Sequence, residues 1–416
     1  MNAMTCVLDG FGPLPLVRPG YISEVGDLIR EAAARDRAIY PVGGRTKIAL
    51  GAPPTKPGLA VDLRDLAQII DFAARDMTVT VQTGITIHAL REALVRENLR
   101  LPIDIALDRQ ATLGGILAAN SSGPRRYGYG TLRDYVIGIG ALNNAGNEFK
   151  AGGRVVKNVA GYDLCKLLVG SLGTLGIITQ ATLKLRPLAE QQALLALACQ
   201  SARLESILTC LHESRTRPVS LDLLNQTAAR IVFAHANLTA PEAPWVLLVG
   251  FEDNVDAVTW QVQQLVKEMS TQCRLEARVD FTAEPLWNAL VDFSAWPQTQ
   301  TVFKARVLPS AGAWFCQSVD RGPNRPALRA HAGNGIIYGQ WQADLTMERS
   351  ASMLSEWREL AHQRQGGVVV TSCPSDWKAA LNVWGPAPEG AWLMREVKAK
   401  FDPNHLFNPG RFVDGI

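Results

Sequence analysis

The stretch Gly170-Ser171-Leu172-Gly173-Thr174-Leu175-Gly176-Ile177-Ile178-Thr179 is the last of three glycine-rich segments in the first half of the chain. Pro41-Val42-Gly43-Gly44-Arg45-Thr46-Lys47 and Ala111-Thr112-Leu113-Gly114-Gly115 precede it. Each adjoins a run that reads as a strand. Glycine lets backbone N–H groups converge on an anion, because no Cβ blocks a positive φ or a close approach. One such loop makes a phosphate cradle. Three imply a long ligand wrapped along the chain, such as a dinucleotide with a pyrophosphate, two sugars and two flat rings.

A Rossmann site needs Gly-x-Gly-x-x-Gly between the first strand and its helix, with an acidic residue about 20 residues on. No early segment has that spacing. Gly138-Ile139-Gly140 falls inside a run, Tyr135 to Leu142, that alternates like a strand and leads to a turn at Asn143-Asn144-Ala145-Gly146-Asn147. No helix follows, which argues against nicotinamide binding of the Rossmann kind.

With 416 residues, the chain exceeds the usual single-core limit, so two domains are expected. A hydrophobic content of 47% against 19% charged residues describes a well-buried globular protein. The balance of 42 basic and 39 acidic side chains is even, and no basic run with interleaved aromatics occurs, so nucleic acid is not an expected partner. Met1 to Gly20 lacks a basic start and a small-residue cleavage site, so it does not read as a secretory signal. No apolar run approaches a membrane span. Seven scattered cysteines without a Cys-x-x-Cys argue against a disulfide framework, a zinc site and an iron–sulfur cluster. A cytoplasmic setting is the expectation.

Working outward, Ser23 opens a periodic helix through Ala33, and Ala38 to Val42 reads as the strand before the first glycine pair. Leu59 to Leu63 and Met77 to Gln82 read as strands, and Thr86 to Asn98 as a helix. Beyond Pro187 the glycine loops stop. Strands at Ala193–Ala198, Val246–Phe251 and Thr301–Val307 then alternate with helices at Leu204–Ser214 and Asp256–Met269, the pattern of an antiparallel sheet backed by helices.

Thr112-Leu113-Gly114-Gly115 running into Asn120-Ser121-Ser122-Gly123 and Tyr127-Gly128, then Gly161-Tyr162-Asp163-Leu164 and Gly173-Thr174-Leu175-Gly176, resembles the flavin domain of the vanillyl-alcohol oxidase and p-cresol methylhydroxylase superfamily. The ending, Phe401 to Arg411 with Asn408-Pro409-Gly410, is similar to that superfamily's C-terminus. Gly152-Gly153 through Asp163, and Val383-Trp384-Gly385-Pro386, look most like the FAD-binding E subunit of bacterial glycolate oxidase. The resemblance implies an α+β fold. A two-part FAD-binding domain covers residues 1–188 and 373–416, and an antiparallel-sheet cap backed by helices covers residues 189–372.

The same resemblance implies where FAD is held. Pro41, Val42, Gly43, Gly44, Arg45 and the Thr46 hydroxyl meet the pyrophosphate. Thr112, Gly114, Gly115, Asn120, Ser121 and Gly123 flank the ribityl chain and isoalloxazine. Gly173, Gly176, Ile177 and Ile178 pass under the adenine and ribose, and Asn408 adds a contact from the closing motif. Covalent members carry a histidine in the first loop. Arg45 and Thr46 occupy those positions here, so FAD is expected to be non-covalent. Leu172 stands where the superfamily often has Glu.

His331-Ala332-Gly333-Asn334-Gly335-Ile336-Ile337-Tyr338 is similar to the His-x-Gly-Asp-Gly-Asn-x-His motif of the superfamily's D-2-hydroxy-acid dehydrogenases, whose histidines hold a metal. Asn334, Ile336 and Tyr338 replace the Asp, the Asn and the second His, so no metal is expected. Two alternatives remain open. His331 acts as a base while Lys304 or Arg306 holds a substrate carboxylate, or the segment is only a relic strand. The implied activity is oxidation of glycolate or D-lactate by FAD, beside a sister flavin subunit and an iron–sulfur subunit or quinone, with peripheral membrane association through that complex. The alternative is a non-catalytic electron-transfer subunit.

Overall fold

The computed structural model describes residues 4–153, 161–296, 299–322, 324–342 and 345–416. The part of the glycolate-oxidase-like run at residues 154–160 lies outside the described residues. Two compact units emerge. The first lies within Met1–Ser121, Thr131–Leu188 and Ser375–Ile416; the second within Ser122–Gly130 and Ala189–Pro374. The segment 122–130 therefore groups with the second unit, whereas the sequence reading kept it, with Gly123, in the flavin domain.

Among the described residues the first unit holds two larger sheets and a two-stranded ladder of Leu99–Arg100 with Arg186–Pro187. Ala38–Val42 pairs in parallel with Gly58–Asp62, which pairs in parallel with Phe11–Val17, and Thr5–Leu8 closes that edge antiparallel. The strand Ala38–Val42 is almost wholly buried, as its apolar run requires. The helix Ile22–Ala34 packs Val25, Ile29 and Ala32 toward it. Its cap position is Tyr21 rather than Ser23, and Glu24 reaches back to the Gly20 N–H at 2.8 Å.

A second, fully antiparallel sheet orders Ile69–Ala73, Thr78–Gln82, Ile177–Lys184, Val136–Leu142 and Glu148–Gly152. The Gly138-Ile139-Gly140 run is thus one arm of a hairpin closed by the turn at Asn143–Asn147, where the Asn143 carboxamide accepts from the Ala145 and Asn147 N–H groups. The short helix Leu113–Ala119 packs Leu113, Ile116 and Leu117 into the same core.

In the second unit eight strands form one antiparallel sheet, ordered Arg274–Val279, Gln191–Cys199, Trp245–Asp253, Ser220–Asn225, Ala327–His331, Ile336–Gln342, Thr299–Arg306 and Gly367–Ser372. Trp245–Asp253 is buried through Glu252, which fits a strand with neighbours on both edges and both faces covered. Helices Gln226–His235 and Val255–Met269 start on Asn225 and Asn254, whose side chains accept from N–H groups of the first turn at 2.9 and 2.8 Å. Segment 122–130 is tied here by Arg125, which meets Glu252 at 2.6 Å and lies 3.7 Å over the Trp287 ring. The Gly128 N–H also donates to the Val219 carbonyl at 3.0 Å.

No helix among the described residues is long and apolar enough to cross a membrane.

Candidate cofactor site

The strand Ala38–Val42 ends at the edge of a cavity and delivers Gly43 and Gly44 to its wall. A Cβ on Gly43 would overlap the Thr112 side chain, and one on Gly44 would overlap the Gln110 carbonyl. Only glycine lets the first and second loops approach this closely. The amides of Gly44, Arg45 and Thr46 donate to no acceptor among the described residues and are available to an anion.

The second loop is more ordered than the sequence suggests. Thr112 caps the helix Leu113–Ala119, accepting from the Gly115 N–H at 3.4 Å, and the Gly114 N–H is engaged by the Thr83 carbonyl at 2.7 Å. Gly114 thus serves close packing, and Gly115 faces open space.

In the third loop Leu172 has φ +52°, in the left-handed region, and its carbonyl accepts from the Asn408 carboxamide at 2.6 Å. Beneath it, Lys398 is buried and donates to the Thr174 carbonyl at 2.8 Å, to Asp402 at 2.6 Å and to the Phe407 carbonyl at 3.0 Å. Burial pushes this amine below its usual value, and Asp402 opposes the shift. The C-terminal segment therefore buttresses the loop.

Two cavities result, with shared walls. Pro41, Val42, Gly43, Thr112, Gly115 and Leu172 line both. Gly44, Arg45, Thr46 and Arg411 line one; Gly114, Gly173, Gly176, Ile177 and Ile178 line the other; Asn408 touches both. Of the residues expected around FAD, Asn120, Ser121 and Gly123 are not on these walls. Asn120 ends its helix at φ +46°, and its buried Oδ1 has no hydrogen-bond partner among the described residues. Lys47, Ala118 and Leu172 were not foreseen in the sequence, nor was Arg411. The site fits a dinucleotide: free loop amides and the cations Arg45 and Lys47 suit a diphosphate, and small side chains leave room for flat rings.

No histidine lines either cavity among the described residues. Acid or heat denaturation is therefore expected to release all the yellow colour into the supernatant. Flavin left on the precipitate would contradict this.

The residues expected to carry chemistry lie in the second unit. His331 ends the strand Ala327–His331, opposite Asp222 on one side and Ile336 on the other; Ile336 in turn faces Arg306. Arg329, Tyr338 and Lys304 form the adjoining rank. His331 is 1% exposed. Arg329 donates to Asp222 at 3.0 Å and to the Leu290 carbonyl at 2.7 Å, and its third nitrogen is 3.3 Å from His331 Nε2. A guanidinium only donates, so Nε2 is the acceptor and the ring proton sits on Nδ1, 2.9 Å from Asp222. The Nδ1 contact is too bent for a regular hydrogen bond. In this arrangement Arg329 occupies the lone pair that a base would use. Lys304 Nζ is 5.9 Å from the Tyr338 ring centre, and Arg306 is exposed. Asp222 and Arg329 were missed in the sequence, although an aspartate within the apolar run Leu221 to Leu224 demands a buried partner.

Burial pushes Asp222 up, but His331 and Arg329 overcome it and hold the carboxyl below its usual range. Burial pushes His331 down against the pull of Asp222, and Arg329 adds to the lowering. Its folded-state value thus lies below the ordinary 6.5. Its contribution to stability is full above that value and diminishes as the pH falls from there toward the folded value, because the unfolded chain takes up a proton that the fold refuses. Denaturation at about pH 7.5 and about pH 5.5 should show a smaller loss for His331→Gln than for the natural chain. Equal losses would contradict the assignment.

Comparison with known proteins adds to this geometry. The "FAD binding domain" family matches residues 13–152, and "FAD linked oxidases, C-terminal domain" matches residues 190–308 and 385–412. A D-2-hydroxyglutarate dehydrogenase of Xanthomonas citri is 33% identical, covering 97% of this chain and 89% of its own. The glycolate oxidase subunit GlcD of Bacillus subtilis is 27% identical over 96% and 88%. The GlcE subunit of Escherichia coli is 33% identical, but over only 40% of this chain and 47% of its own. Likeness to the E subunit is thus local, whereas likeness to the D subunit and to the dehydrogenase runs the whole length. Among solved structures, p-cresol methylhydroxylase with substrate bound superposes with a TM-score of 0.74 at 14% identity, covering 95% of this chain and 88% of its own. That likeness concerns the fold, which is the α+β architecture expected from the sequence.

Proposed function

Because the chain belongs to the FAD-linked oxidases, with their FAD binding domain and their C-terminal domain, we propose that it oxidises a small 2-hydroxy acid to the 2-oxo acid as one subunit of a larger assembly. The observation that carries this reading is the pair of adjoining cavities lined by all three glycine segments. FAD, when bound, supplies the two-electron acceptor for the carbinol carbon, and the protein supplies orientation and electrostatics. Glycolate and D-lactate are the first substrates. D-2-hydroxyglutarate joins them through the Xanthomonas relative.

The sequence holds no Cys-x-x-Cys for a cluster of its own, so electrons pass to an outside acceptor, an iron–sulfur subunit or a quinone. The GlcD and GlcE relatives are named as subunits, which supports a sister flavin chain as partner.

One observation favours a second reading, in which this chain keeps FAD as a relay while the sister chain oxidises the substrate. His331 is buried with Arg329 on its acceptor nitrogen. In the reconstituted assembly, His331→Ala should cut turnover by roughly a hundredfold or more if it is a general base, and leave it nearly unchanged in a relay. Purifying the native assembly and identifying its chains tests the subunit claim. A homo-oligomer that reduces a dye with glycolate at full rate, without partners, would sink it.

A further inference from the structure

We propose that a buried cluster of Asp9, Lys378 and Arg411 positions the first glycine loop for the cofactor's diphosphate, acting through the backbone of residues 48–52. The inference rests on the FAD reading above. Lys378 is 2% exposed and Arg411 9%. Between them they take five consecutive carbonyls. Arg411 donates to Ile48 at 2.5 Å, Leu50 at 2.7 Å and Ala52 at 3.0 Å; Lys378 donates to Ala49 and, at 2.8 Å, to Gly51. Asp9 accepts from both cations. The Arg411 carbonyl accepts in return from the Ala52 N–H and the Trp384 indole N–H, each at 3.1 Å.

The segment so held is joined to the preceding one, because the Ile48 N–H donates to the Arg45 carbonyl at 3.2 Å and the Leu50 N–H to the Lys47 carbonyl at 3.0 Å. Among the described residues, the amides of Gly44, Arg45 and Thr46 remain without acceptors a few residues upstream, on the wall of a cavity that Leu50 and Arg411 also line. The hydrogen bonds of the cluster thus fix the far limb of the loop whose near limb presents free N–H groups. The Arg411 nitrogens that reach Asp9 and the carbonyls are already engaged, and Lys378 does not line the cavity, so both are positioning residues.

The test uses the full-length apo-protein. FAD is titrated into the natural chain, Lys378→Met, Arg411→Met and Arg411→Lys by flavin fluorescence, and hydrogen exchange is followed in each apo form. The FAD dissociation constant should rise by about tenfold or more in both methionine variants. Exchange should quicken in residues 43–52 while Trp245–Asp253 stays protected, and Arg411→Lys should recover part of the affinity. Affinity within about twofold of the natural chain in both methionine variants overturns the proposal. Should those variants not fold, the natural chain decides: FAD should slow exchange in 48–52 as well as in 43–47, and unchanged exchange in 48–52 overturns the proposal. Apo-protein that takes up no FAD at all defeats the cofactor reading instead.

Discussion

Gly115→Asp is expected to yield a folded but colourless protein. Gly115 lines both cavities, and a Cβ there meets only the Thr112 hydroxyl, at an ordinary contact distance of 3.4 Å. The fold tolerates the new side chain, which must then project into the space the cofactor needs. The carboxylate also brings a negative charge to a site that suits an anionic cofactor; like charges about 6 Å apart would repel by about 3 kcal/mol at an effective dielectric of about 20, on the order of a hundredfold in affinity. Steric exclusion adds to this. The ratio of flavin to protein absorbance, read beside the unfolding midpoint of the apo form, checks the prediction. A variant carrying a full complement of flavin would contradict the cavity assignment. Gly44→Ala is not equivalent, because its Cβ strikes the Gln110 carbonyl and disturbs the loop itself.

Lys398→Met is expected to produce the largest loss of stability among single changes in the first unit, about 3–5 kcal/mol. The amine is 1% exposed, and Asp402, its partner, is fully buried. Asp402 also accepts from the Leu406 and Phe407 N–H groups at 2.9 and 2.8 Å. Methionine fills the volume but leaves the carboxylate without its cation and the Thr174 and Phe407 carbonyls without a donor. A shift in denaturant midpoint, with unchanged slope, measures the effect. A loss below about 1 kcal/mol would show that the pair only breaks even against its desolvation. Because Lys398 supports the third loop, flavin should also leave this variant more readily.

Much of the first unit was legible because its signals are local. Ala38–Val42 and Thr78–Gln82 are short apolar or alternating runs next to glycine turns, and both form strands at nearly the expected residues. Gly43, Gly44 and Gly115 stood out because a glycine pair on a strand or helix end has few other uses. The helix Leu113–Ala119 was hidden by Gly114 and Gly115, whose low helix propensity is outweighed by the Thr112 cap and by burial of Leu113, Ile116 and Leu117.

Two strands of the second unit that escaped notice, Arg274–Val279 and Ser220–Asn225, did so for physical reasons. Arg274–Val279 is a sheet edge, and its charged side chains serve solvent and block further pairing rather than marking a core. Ser220–Asn225 is buried on both faces yet contains Asp222, whose burial makes sense only with Arg329 more than a hundred residues away. Buried ion pairs between distant segments, Asp222 with Arg329 and Asp9 with Lys378 and Arg411, have no local signature. The role of the C-terminal segment in holding the cofactor loops is therefore visible only in three dimensions.

The most direct measurement is anaerobic mixing of the purified, FAD-loaded chain with glycolate, D-lactate and D-2-hydroxyglutarate, each in excess, while the flavin's visible band is followed. At least one of them should bleach the band within seconds to minutes and leave the matching 2-oxo acid in solution. A band that dithionite reduces fully but none of the three acids touches would contradict substrate oxidation by this chain.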